Sequence, residues 1–562
     1  MVRAPRRWLA LAAPVLAASL VLSACGGGES GNNQSAPKAE DVGKNDINPV
    51  DPAQLKDGGD FHWPLTGMPP NFNYHHLDGG ELDNWEVMAA LMPTPMDAGA
   101  DGVAQPDPDY LTSAEVTSTD PQVITYKINP KAKWSDGTPI TWEDFQAQWQ
   151  ALNGTNPAFV VSSTTGYEDI EKVEKGADDL EVKVTFKNKF SDWKSLFTPL
   201  YPKSTNTDPE VFNKGWVEQV PVSAGPFKFE SIDKTAKTIT LVRDENWWGA
   251  KPKLDRIIYR AIPVDAAADA LANGEIDFLD VGPSLNDFTR AQSMQGIVLR
   301  QAMAPNFRHI TFNGAKGSIL EDEQLRIAIQ KGINREVIAK AMIGQLIPDA
   351  KPLNNHIFVE GLKGYQDNAQ IVAYNPEEAK KMLDDLGWKL EGDVRKKDGK
   401  ELVIRDVIPT QVATSAQEAK QVQQQLAEIG VKVEIVTVPS DDFFEKHVNV
   451  GDFDITHFSW IGTPYPVSSK GSIYGLTEGE TKQNFGRISN ERINELFAQA
   501  RAELDEDKKI ELANEIDKEI WKTGHSLLLY QRPNIIAVKE NVANFGAFGF
   551  ADTDYTKIGF IK

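Results

Sequence analysis

Residues 133–145 read Lys133-Trp134-Ser135-Asp136-Gly137-Thr138-Pro139-Ile140-Thr141-Trp142-Glu143-Asp144-Phe145. Asp136-Gly137 is a turn dipeptide, and Thr141 with Asp144 makes an approximate capping box, so the stretch predicts a turn and then a helix from Trp142. Outward from it, Leu180-Glu181-Val182-Lys183-Val184-Thr185-Phe186 and Lys237-Thr238-Ile239-Thr240-Leu241-Val242 alternate as half-buried strands of a mixed or antiparallel sheet. Asn375 can cap a helix with Pro376 at its first position, Glu377 and Glu378 in its positive first turn and Gly387 closing it. A helix from about Ala416 to Ile429 ends at Gly430 and is followed by the strand pattern 431–436, an αβ unit. One long helical stretch is expected from Asp322 through Met342. Another runs from about Asn490 to Trp521, broken at Leu504-Asp505-Glu506-Asp507. No internal repeat is present.

Of the 562 residues, 41% are apolar and 25% charged, which is globular composition with room for several cores. The 59 basic and 81 acidic side chains leave a formal charge of -22, which argues against a groove that tracks nucleic-acid phosphates. Cys25 is the single cysteine, so no intrachain disulfide or cysteine metal cage exists. Arg3, Arg6 and Arg7 precede the apolar run Trp8–Leu22, the charged and hydrophobic parts of an export signal. That run falls short of the roughly 20 apolar residues a membrane span needs. Leu22-Ser23-Ala24-Cys25 resembles the bacterial lipobox, in which cleavage leaves the cysteine as a lipid-modified first residue. Loss of residues 1–24 removes three arginines and no acid, taking the formal charge from -22 to -25. From Gly26 to about Gly59 the composition is that of a flexible tether, with ordered structure expected from Phe61-His62-Trp63.

Several blocks in register extend the opening stretch. They are Ala224-Gly225-Pro226-Phe227-Lys228-Phe229, Asn246-Trp247-Trp248-Gly249-Ala250-Lys251-Pro252-Lys253-Leu254-Asp255, Gly274-Glu275-Ile276-Asp277-Phe278, the helix around Arg326 to Glu336, Tyr374-Asn375-Pro376-Glu377-Glu378-Ala379-Lys380 and Gly451-Asp452-Phe453-Asp454. Together with residues 133–145 they resemble the peptide/nickel-type family of extracellular solute-binding proteins that serve ABC importers, from about residue 60 to the end. The resemblance implies an α/β, two-lobed, periplasmic-binding-protein-like fold of class II, the large peptide-binder type, with mixed sheets and an extra inserted domain. Lobe one would combine 60–95, 215–302 and 522–562, the insertion 96–214, and lobe two 303–521. The chain would cross between lobes near Pro305 and near Leu528 to Arg532, a hinge geometry. A solute touching both lobes would then favour the closed form by its extra contacts there. Partner ATPases would supply the energy of transport, in keeping with the lack of a G-x-x-x-x-G-K-[ST] loop in the sequence.

The same resemblance nominates site residues. Phe458-Ser459-Trp460-Ile461-Gly462-Thr463-Pro464-Tyr465-Pro466 matches the family's cleft segment, which puts Trp460, Ile461, Gly462 and Thr463 beside the ligand. Many peptide binders carry an aspartate at the position of Thr463, where it pairs with the ligand's free amino terminus. A neutral hydroxyl cannot make that charge-assisted bond, so an amino terminus is held elsewhere or is not required. His457 falls where some relatives place a cation near the ligand's carboxyl end. Pro70-Asn71-Phe72-Asn73-Tyr74 matches the first cleft loop and nominates Tyr74. Phe159 lies near an aromatic of the inserted domain that closes over ligand. Tyr530 and Arg532 match the second crossing, and Arg532 has the fork to meet a carboxylate. Core packing or a hinge salt bridge accounts equally well for several of these.

His75-His76 and Asp441-Asp442 are adjacent pairs that point to opposite faces of an extended chain, so no metal site and no cofactor is expected. Carboxylate pairs are inevitable among 81 acids, and no G-x-S-x-G elbow is present, so no enzyme is expected. The expected partners are a peptide or peptide-like solute, an ABC permease with its ATPase, and the outer face of the cytoplasmic membrane through lipidated Cys25. Nucleic acid is not among them, and the chain is expected to be monomeric. The alternative is a relative acting as an envelope regulator or scaffold, or as a glycolipid-binding lipoprotein.

Overall fold

Turn and helix form as the opening stretch predicts. Gly137 takes φ of +90° between Trp134 and Thr138, which exchange a 2.8 Å backbone bond. The helix Trp142–Leu152 starts at Thr141, whose N–H donates to Asp144 Oδ2 at 2.9 Å. It buries Phe145, Ala147 and Leu152 beside an antiparallel four-stranded sheet in the order Leu111–Thr119, Gln122–Ile128, Glu181–Phe186, Ile170–Lys175. This computed structural model describes residues 45–347, 349–410, 412–476 and 481–562. The export signal, Cys25 and the tether up to residue 44 lie outside the described residues.

A second four-stranded sheet has the order Asp60–Leu65, Arg256–Ala261, Thr238–Arg243, Phe227–Asp233, with its first pair parallel and the others antiparallel. A six-stranded mixed sheet runs Phe278–Asp280, Ser526–Lys539, Ile297–Phe312, Ile455–Trp460, Val403–Pro409, Lys432–Val438. Its last two strands are parallel, joined through the helix Ala413–Ala427, which is the αβ unit expected from Gly430 and the alternating strand. The architecture is α/β with mixed sheets.

The two longest strands organise everything else. Ile297–Phe312 and Ser526–Lys539 pair antiparallel along their lengths, but the register breaks between Met303↔Pro533 and Phe307↔Gln531. Ala304, Pro305 and Asn306 therefore face the single residue Arg532. Pro305 and Pro533 have no N–H to give the ladder, which is why the break falls there. Gln531 Nε2 bridges it by donating to the Ala304 carbonyl at 2.8 Å. The break coincides with both of the expected crossings.

Two expectations need correction. The helical stretch 322–342 is two helices, Glu323–Lys331 and Arg335–Ile343. Gly332 ends the first, and Asn334 caps the second by accepting from Val337 N–H at 3.2 Å, a local bond that the apolar periodicity runs straight through. The tether stops earlier than Gly59: Asp46 N–H donates to the Ala547 carbonyl at 2.8 Å, and Leu55 is 1% exposed and bridges to Ile561. Composition misses this because the apolar partner of Leu55 is the far end of the chain. Among the described residues no helix is long and apolar enough to cross a membrane.

Candidate functional site

The strand Ile455–Trp460 ends against the break in the long strands. Gly462 N–H donates to Asn306 Oδ1 at 2.9 Å, and a β-carbon at Gly462 would sit 2.3 Å from the Pro305 carbonyl oxygen. Only glycine lets the segment lie this close. Ile461 stands out, 60% exposed, and Thr463 Oγ1 accepts from Tyr465 N–H at 3.2 Å. Trp460 is half-buried in an aromatic stack, near-parallel to Phe485 and to His309 at 5.8 Å each and edge-on to Phe458 at 5.3 Å. The structure thus brings the segment Trp460, Ile461, Gly462 and Thr463 to the register break.

His457 and Tyr530 are placed differently. Both are fully buried in a charge network one register position beyond the break, where Arg308 faces Tyr530. Arg308 Nε donates to Glu418 Oε1 at 3.0 Å, Tyr530 OH donates to the same oxygen at 2.6 Å, and His457 Nε2 lies 3.1 Å from Asp406 Oδ2. Burial alone would strip the His457 proton, but Asp406 and Glu418 hold it on, to about 9. Burial likewise opposes the Glu418 charge, yet Arg308 and His457 pull its carboxyl down to about 2. Sequence reasoning missed Arg308, Asp406 and Glu418, because their partners lie on separate strands and a helix with no spacing to link them. Phe159 is also buried, edge-on to Phe212 at 5.2 Å.

Tyr74 donates its N–H to Tyr201 OH at 2.9 Å and rests its ring 5.1 Å from Trp85. Trp85 in turn lines a cavity of about 270 Å³ between the helix Leu82–Met88, the strand Phe278–Asp280 and the segment 545–555. Aromatic rings and the carboxylates of Glu86, Asp97, Asp280 and Asp552 wall it. Arg532 acts electrostatically on Asp280 of this wall. Its guanidinium is depressed in pKa by burial, and its Nε has no hydrogen-bond partner.

On another side, the segment around 169–194 clasps residues 465–509. Tyr465 OH donates to the Lys194 carbonyl at 2.8 Å, Ser468 N–H to Asp192 Oδ2 at 3.1 Å, and Arg501 meets Asp169 at 3.1 Å. Burial opposes the Lys509 charge, but Asp192 at 3.2 Å and Glu506 at 2.7 Å together more than restore it.

Comparison with known proteins gives concordant matches. The family described as bacterial extracellular solute-binding proteins, family 5 Middle, matches residues 105–482. The chain is 45% identical to the oligopeptide-binding protein OppA of Mycobacterium tuberculosis over 566 aligned residues, covering 99% of this chain and 94% of that protein. Among solved structures it is similar to a periplasmic EDTA-binding protein, EppA, with TM-score 0.85 and 25% identity over 92% of this chain and 98% of that one. It shares the fold of the oligopeptide-binding protein AppA of Bacillus subtilis, solved with a nonapeptide, with TM-score 0.74 and 21% identity over 90% of this chain and 100% of that one.

Proposed function

The chain belongs to the bacterial extracellular solute-binding proteins, family 5, and from that premise we propose that it captures peptides or peptide-like solutes between two lobes and delivers them to an ABC permease and its ATPase. The fold is the two-lobed class II type of that family. The lobes take the bounds expected above: 60–95, 215–302 and 522–562 for the first, 96–214 for the insertion, 303–521 for the second. The protein acts on the outer side of the cytoplasmic membrane, anchored there by acyl chains on Cys25, and as a monomer. It returns its solute chemically unchanged.

The observation that carries this is the register break at Ala304–Asn306 opposite Arg532, in the two strands that connect the lobes. A paired ladder resists bending, whereas three residues facing one leave a place where the strands can flex together. The clasp through Asp192 and Asp169 lies where closure would bring the insertion onto lobe two. Trp460, Ile461 and Thr463 present the second lobe's side of the cleft, with Tyr74 and Arg532 towards the first.

Binding to the native state alone stabilises it by RT ln(1 + [L]/Kd), about 2.7 kcal/mol at a hundredfold excess over Kd. A mixed library of short peptides is therefore expected to raise the melting temperature of the purified protein. No shift with peptides of any length, together with a copurified lipid or sugar in native mass spectra, would overturn the peptide assignment.

A further inference from the structure

We propose that the cavity between Trp63, Trp85 and Asp280 is a cation subsite that takes an ammonium or guanidinium group of the solute. This deepens the function proposed above and rests on it. The walls carry four carboxylates, from Glu86, Asp97, Asp280 and Asp552, and no lysine, arginine or histidine. The donors that hold them are neutral: Trp63 Nε1–H to Glu86 at 2.7 Å, Gly282 N–H to Asp280 at 2.9 Å, and Ala98 N–H to Asp552 at 2.7 Å. Arg532 acts on Asp280 only at longer range.

The arrangement is a carboxylate-lined site with room inside it, offset at Asp280 by Arg532. A cavity of about 270 Å³ exceeds the roughly 150 Å³ that accepts benzene in an apolar core, so one side chain or a chain terminus fits. Indole and phenyl faces attract organic cations. Among the described residues no three His, Cys, Asp or Glu groups converge closely enough to hold a metal. Thr198, also on the wall, has a hydroxyl with no hydrogen-bond partner. The subsite supplies the charge that Thr463 lacks on the opposite lobe.

Burial holds Glu86 towards its protonated form, up to about 8, with Asp83 of its own helix and Asp280 across the cavity adding repulsion. The other groups facing Glu86 are the Tyr259 and Tyr555 hydroxyls, both spent on its backbone oxygen. A cation entering the site should therefore displace protons, and its affinity should rise with pH up to about 8.

The test uses the full chain and two pentapeptide libraries. One is acetylated and free of Lys and Arg; the other is the same with a single Lys or Arg at each position in turn. Calorimetry should show the cationic library binding at least about tenfold tighter, as a charge-assisted contact implies, with proton release that depends on the buffer. Glu86→Gln and Asp280→Asn should each erase that preference while leaving the neutral library within about twofold, and Asp552→Asn serves if either variant fails to fold. Equal losses for both libraries, or no preference in the natural protein, would overturn the proposal. If neither library binds, the peptide assignment falls instead. Arginine amide and spermidine then decide the subsite, since binding lost in Glu86→Gln supports it and no binding to the natural protein overturns it.

Discussion

Lys509 Nζ lies 3.2 Å from Asp192 Oδ1 although 317 residues of chain separate them, and the two side chains are only 13% and 5% exposed. Asp192 also receives Ser468 N–H. Breaking a buried pair on one side normally costs about 3–5 kcal/mol, because the remaining charge stays unpaired out of water. In the proposed hinge motion, opening would return both groups to solvent. The cost is then relieved by opening, so it falls on the closed form rather than on folding.

Lys509→Met is accordingly expected to raise the Kd of a bound solute by about tenfold, equivalent to about 1.4 kcal/mol, with the melting temperature of the unliganded protein little changed. Small-angle scattering should show a larger radius of gyration for the variant. An unchanged radius together with an unchanged Kd would mean that the clasp does not govern closure.

The buried network around Glu418 gives a pH signature. His457 is raised from 6.5 to about 9, so its contribution is fully present below pH 6.5 and is lost as pH rises through 9. Glu418 is lowered from 4.5 to about 2, so its contribution is present above pH 4.5 and is lost as pH falls through 2. Stability from the network should therefore be flat between pH 4.5 and 6.5 and decline on either side. His457→Gln is expected to lose about 3 kcal/mol at pH 6, at about 1.4 kcal/mol per pH unit, and progressively less towards pH 9. Urea titrations across that range measure it. A cost independent of pH would show that the histidine is held neutral.

Lys470 is 3% exposed, with its ammonium 4.6 Å over the Phe307 ring and no ion-pair partner among the described residues. Burial lowers its pKa from 10.5 to about 7. Between those values the unfolded chain holds a proton that the folded chain does not, so stability rises with pH there; below 7 the penalty is constant. Lys470→Met should raise stability at pH 7 by about 2–4 kcal/mol, and the gain should shrink as pH approaches 10. Denaturant midpoints at pH 7 and 9.5 decide it. A destabilised variant at both would mean that the ammonium has a partner in solution.

Local rules were enough for the turn at Gly137, the capping box at Thr141 and the cap at Asn375, because each is set by residues within one turn of one another. The split at Gly332–Asn334 escaped because the apolar spacing continues through it. The family resemblance brought Trp460 to Thr463 into view but also nominated His457, whose neighbours Asp406 and Glu418 come from a strand and a helix that pattern alone does not bring together. The acidic cavity was illegible for the same reason: Glu86, Asp280 and Asp552 are hundreds of residues apart and meet only through the mixed sheet and the C-terminal segment.

Gly462 tests how tightly the segment after Trp460 is pressed onto the register break at Pro305. A β-carbon there meets the Pro305 carbonyl oxygen at 2.3 Å and its Cβ at 2.7 Å, both closer than atoms can stand. The segment must therefore lift, which weakens the Gly462 bond to Asn306 and shifts Trp460 and Thr463 with it. Gly462→Ala is expected to cost about 1–3 kcal/mol of stability, in the range of overpacking, and to weaken solute binding by more than its effect on folding explains. Adding Pro305→Ala should not restore binding, because the obstructing oxygen belongs to the backbone and survives the change. Recovery of full affinity in the double variant would place the clash on the proline ring instead, and the close approach of the two backbones would no longer account for the glycine.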